Sequence, residues 1–95
     1  MPGKSQFRVV YSEKVRNQFL AIVKKAALAG LRKLVLDTAK AIHQNLQDQP
    51  REFGEILYHL EEAKLEVRLG VKAPLAVIFG VHEEQPVVFV KEFFG

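Results

Sequence analysis

LEVRLGVKAPLAVIFGVHEEQPVVFVKEF, residues 65–93, decides the fold. Three runs rich in Val, Leu, Ile and Phe are separated by GVKAP and HEEQP, which supply turn-forming residues, so the stretch reads as one hairpin followed by another. In the first run Leu65, Val67 and Leu69 alternate with Glu66 and Arg68, and a period of two sets one apolar face against a core. Folding at GVKAP sets Arg68 near Ala76, Val67 near Val77 and Glu66 near Ile78, a register that keeps apolar groups on one side. The expected core face is Leu65, Val67, Leu69, Leu75, Val77, Phe79 and Val81, joined by Val88 and Val90. The opposite face then carries Lys64, Glu66, Arg68, Ala76, Ile78, Gly80 and His82, with Val87, Phe89, Lys91 and Phe93. Phe89 and Phe93 beside Arg68 and Lys91 fit a partner surface or a nucleic-acid platform. They also fit an ordinary surface with scattered apolar residues.

Upstream, FRVVY (7–11) reads as a short strand, and Ser12 stands where a helix N-cap would, with Glu13 in the first turn. Val15, Phe19, Ile22, Val23 and Ala26 recur at helical spacing, and Gly30 is a helix stop. A second stripe, Leu31, Leu34, Val35, Ala39, Ile42 and Leu46, runs until Asp48, Gln49 and Pro50 break it. Two helices joined this closely form an antiparallel hairpin; a single long helix bent at Gly30 is the rival reading. PREFG (50–54) is a loop, EILYHL (55–60) a strand, and Glu61 and Glu62 a polar turn. The order is β-α-α-β-β-β-β, an α+β domain with a helical hairpin packed on one face of a largely antiparallel, twisted sheet.

The chain has 95 residues, enough for a single domain and a single core spanning 1–95. Hydrophobic residues make up 48% and charged residues 26%, which excludes the low-hydrophobicity class of disordered chains. Absence of cysteine excludes disulfides and thiolate chemistry and fits a reducing compartment. No apolar run spans a bilayer and MPGKSQ has no secretory core, so the expected location is the cytoplasm, away from membranes. The net charge of +3 divides unevenly: up to Arg51 basic residues dominate, and from Glu52 onward acids do. A basic half attracts phosphate backbones or an acidic partner, although surface helices also carry solvated lysines routinely.

The opening FRVVYSEKVRNQFLAI, the two helices, PREFGEILYHL and, most of all, LEVRLG followed by LAVIFGVHEEQPVVFV resemble the RelE/ParE superfamily of bacterial type II toxins over most of the chain. The shared pattern is a strand with arginine, a strand ending in aromatic-x-Val, and a Val-rich last strand. The resemblance implies a single-domain toxin blocked by an antitoxin that wraps around it. Its RelE branch cleaves messenger RNA on the ribosome, and its ParE branch poisons DNA gyrase. The ribonuclease branch needs no metal or other cofactor; lysines and arginines stabilise the charged transition state and an acid/base side chain moves protons. Arg68 and Lys64 match two basic positions of that branch. Glu66 and Ala76 fall where two more are expected, and the chain ends KEFFG in place of the family's Gly-x-Arg segment.

The candidate catalytic residues are therefore Arg68, Lys64 and His82, and the candidate nucleic-acid contacts are Lys64, Arg68, Lys72 and Lys91. Ile78, Phe89 and Phe93 are the candidate partner surface, which a homo-oligomer would also use. His82 is either a proton shuttle or a turn residue before Glu83 and Glu84. His43 and His59 have no companions at metal-ligand spacing. Three functions remain open. The first is a toxin-type protein bound to an antitoxin or other protein and lacking most of the ribonuclease set. The second is an active ribosome-dependent mRNA endoribonuclease, and the third is a non-toxic interaction domain using the Phe89/Phe93 face.

Overall fold

A computed structural model describes residues 6–95; MPGKS, most of the stretch read above for a secretory core, lies outside them. The elements are β1 (Arg8–Tyr11), α1 (Glu13–Leu28), α2 (Arg32–Asp48), β2 (Glu55–Leu60), β3 (Leu65–Lys72), β4 (Leu75–His82) and β5 (Val87–Phe94). They form one five-stranded sheet in the order β1-β5-β4-β3-β2, with β1 parallel to β5 and every other pairing antiparallel. The architecture is α+β, two helices on a mixed sheet. No helix among the described residues is long and apolar enough to cross a membrane.

Ser12 caps α1, its side-chain oxygen accepting from the Val15 amide at 3.2 Å. At the other end Leu31 N–H donates to the Ala26 carbonyl at 2.7 Å and Gly30 N–H to the Ala27 carbonyl at 3.1 Å. That paired closure needs a left-handed residue, and Gly30 supplies it with φ +75°. The helix therefore ends at Gly30, and the bent single helix is excluded. α2 buries Val35, Thr38, Ile42 and Leu46, whereas Leu31 and Leu34, expected on its apolar stripe, are half exposed.

The core lies between the helices and β4–β5: Val15, Ile42, Leu46, Val77, Phe79 and Val88 form its centre. α1 packs mainly on β5, and α2 on β1 and β4. Neither helix reaches over β3; the loop ending at Gly54 covers its inner side, with Phe53 stacked on Phe79 at 5.8 Å.

The register of β3 differs from the sequence expectation. The β3–β4 turn tightens to Ala73–Pro74, so Lys72 pairs with Leu75, Gly70 with Val77 and Arg68 with Phe79. Against the expected register this is a shift by an odd number of residues, which turns every β3 side chain to the opposite face. Glu66, Arg68 and Gly70 consequently point to the helix side, and Leu65, Val67 and Leu69 to the open side. β5 changes face as well. Between Ile78 paired with Glu92 and Phe79 paired with Val90, Lys91 is an extra residue. Such a bulge reverses the alternation beyond it, so Phe93 enters the core, 7% exposed and 5.4 Å from the Phe19 ring.

Candidate functional site

Arg68 is enclosed. Nε donates to the Phe53 carbonyl at 2.9 Å, one terminal nitrogen to the Gly54 carbonyl at 3.0 Å, and the other to Glu66 Oε1 at 2.6 Å. Its side chain is 8% exposed. Glu66, which the family pattern made an intruder among cations, is the counter-ion of Arg68. Their job in the fold is to satisfy the two carbonyls of the loop that covers β3.

The other predicted cations are dispersed. Lys64, at φ 54° in the β2–β3 turn, pairs with Glu84 at 3.5 Å. Lys72 is at the far end of β3, roughly 26 Å away at about 3.3 Å per residue, and Lys91 is exposed at the bulge. His82 Nδ1 accepts from the Glu84 and Gln85 amides at 3.1 and 3.0 Å, the turn role. Lys64 and His82 therefore share the end of the sheet where Leu65 pairs with His82, while Arg68 is turned inward and Lys72 stands apart. Ile78 and Phe89 lie on the open face as expected; Phe93 does not.

The structure instead opens a cleft between α1 and α2. α1 packs mainly on β5 and α2 on β1 and β4, and where they meet the sheet lies a cavity of about 360 Å³ lined by Tyr11, Val15, Arg16, Phe19, Ala39 and Phe93. That volume lies at the lower end of the range for binding sites, and apolar walls with few polar groups are characteristic of them. The cleft continues across Phe19 and Ala39 into a shallower groove bordered by Arg32, Lys33, Asp37, Lys40 and His43.

Between the two lobes Tyr11 Oη and His43 Nδ1 are 2.6 Å apart, with the rings stacked at 5.7 Å. Burial pushes the Tyr11 hydroxyl up to about 12, so it stays protonated at neutral pH. With Tyr11 as donor, His43 accepts at Nδ1 and carries its proton on the other nitrogen. At the rim Asp37 is held by Lys33 at 2.9 Å, a hydrogen bond that lowers the Asp37 pKa and raises that of Lys33. Arg16, Arg32 and Lys40 have no ion-pair partner among the described residues. The cleft is thus apolar within and positive at its edge.

Sequence spacing missed this site. Tyr11 and His43 are 32 residues apart and sit on different elements. The available signal was the position of His43, four residues beyond Ala39 and so on the same side of α2, together with the basic first half. Among the described residues no three acidic or histidine side chains converge as a metal site. Comparison with protein-family models, with curated proteins and with solved structures found no match.

Proposed function

We propose that the chain is a RelE/ParE-like toxin-type protein that works by protein binding, taking an acidic amphipathic segment of an antitoxin or similar partner into the α1–α2 cleft. The observation that carries this reading is the redistribution of positive charge. Arg68 is committed to Glu66 and two loop carbonyls, whereas Arg16, Arg32 and Lys40 border an apolar groove. A helix with leucine-like residues on one side and carboxylates on the other matches both properties. Transcript cleavage would need several cations and a proton carrier around one phosphate, and Lys64, Arg68, Lys72 and Lys91 do not converge on one.

The test pairs two measurements. The chain is induced alone in a bacterial host, then together with whatever small acidic protein the neighbouring reading frame is found to encode. Growth arrest relieved by co-expression supports the toxin reading. Normal growth at high expression removes it. Arg16→Glu with Lys40→Glu, binding that protein as tightly as the parent chain does, removes the cleft.

A further inference from the structure

The helices leave most of the second face of the sheet uncovered, reaching it only where Lys14 of α1 meets Glu92, and its middle is apolar from edge to edge. Across its middle run Val10, Phe89, Gly80, Val67 and Tyr58, one from each strand in the order β1-β5-β4-β3-β2. Val67 at the centre is fully buried. Around it Tyr58 is 46%, Phe89 37%, Leu60 37% and Phe94 44% exposed. A lone aromatic on a surface is ordinary; a continuous five-strand row is a patch that calls for a partner.

Charge on this face is confined to its margins. Glu92 is paired with Lys14 at 3.8 Å. Arg8 and Glu55 have no ion-pair partner among the described residues. Arg8 pairs in register with Val87 on edge strand β1, and Glu55 with Leu69 on edge strand β2. Val87 opens β5 at the end of the sheet where Leu60 pairs with Leu65, whereas Leu69 lies toward the β3–β4 turn. Arg8 and Glu55 therefore occupy diagonally opposite corners of one apolar face.

We propose that this open face is a homodimer interface, closed by a second copy of the chain. A two-fold axis between the sheets, running along the other diagonal, places Arg8 of each copy against Glu55 of its mate and stacks the apolar rows. The strands then cross near a right angle, one of the two regular sheet-on-sheet packings, and the interface is self-complementary as two-fold symmetry requires.

The size fits. Five strands about 4.8 Å apart and about six residues long give roughly 500 Å² of sheet face. Two faces bury roughly 1,000 Å², the lower bound for a specific interface. At that area the dimer stands at the small end of specific interfaces. It leaves the α1–α2 cleft outward on both copies and does not depend on the cleft's function.

Sedimentation equilibrium of the purified chain over micromolar to submillimolar concentrations tests it, with near-ultraviolet circular dichroism as the folding control. The parent should dimerise. Phe89→Lys should be monomeric throughout with an unchanged spectrum. Arg8→Glu and Glu55→Arg should each weaken the dimer about tenfold, and the double reversal should return to within about threefold of the parent, because the pair is restored with its sign inverted. A parent that stays monomeric overturns the proposal, as does a Phe89→Lys variant that dimerises like the parent. Failure of the double reversal to recover overturns it too, since Arg8 and Glu55 would then not meet.

Discussion

Arg68 and Glu66, two positions apart on β3, meet at 2.6 Å beneath the loop that ends at Gly54. Because alternate residues of a strand share a face, the pair is intrinsic to β3. The loop above it supplies the two carbonyls that complete the guanidinium's hydrogen bonding. Arg68→Met would leave a largely buried carboxylate and two carbonyls without their donor. Removing one partner of a buried pair costs about 3–5 kcal/mol, so urea unfolding should show a loss of that order. Arg68→Met with Glu66→Leu should regain part of it. A loss below about 1 kcal/mol is what an exposed cation would show, and would make Arg68 available for chemistry.

Gly70 and Gly80 lie on opposite faces and predict opposite tolerances. A Cβ on Gly70 would overlap the Phe53 ring, while one on Gly80 would stand 3.3 Å from Leu65 Cδ1, a flexible side-chain end. Gly70→Ala should cost about 1–3 kcal/mol through overpacking, and Gly80→Ala clearly less. Thermal denaturation of the two variants side by side checks the ranking; equal losses would contradict the placement of Phe53.

Tyr11 makes stability fall at high pH. Its folded pKa is raised from 10.0 to about 12, so the unfolded chain releases this proton first. The contribution is complete below pH 10 and disappears as pH rises through about 12. Tyr11→Phe should lack this component of the decline. In a Tyr58→Phe background the tyrosinate absorbance should titrate near 12. An ordinary titration near 10 would mean that the hydroxyl is not buried beside His43.

Gly30→Ala tests the break between the helices. The substitution forces a Cβ into φ +75°, with no neighbour within 4 Å to clash with it, so the penalty is purely backbone, about 1–2 kcal/mol. Denaturant unfolding should show that loss. A gain in stability would show that the two helices merge at this point.

The sequence made some of this architecture legible and hid the rest for definite reasons. Ser12, Gly30 and Pro50 marked the helix ends because each acts through local backbone chemistry. The β4 face was readable too, since Leu75, Val77, Phe79 and Val81 are all buried. LEVRLG misled because both of its faces are used: Leu65, Val67 and Leu69 build the open apolar face, and Arg68 is solvated internally by a loop. Alternation cannot distinguish these cases, and a turn shortened to Ala73–Pro74 inverts the answer. The bulge at Lys91, which sends Phe93 inward, has no composition signal in VVFVKEFF. The cleft is built from β1, α1, α2 and β5 together, a tertiary arrangement that no helix reveals alone.

The most direct test is backbone amide NMR of the labelled chain titrated with a synthetic amphipathic helical peptide that carries leucines on one side and glutamates on the other. The predicted result is shift changes concentrated at Val15, Phe19, Ala39 and His43, lost in the variant combining Arg16→Glu and Lys40→Glu. Changes centred instead on Lys72, Lys91 and the β3–β4 turn, with the cleft silent, would contradict the account.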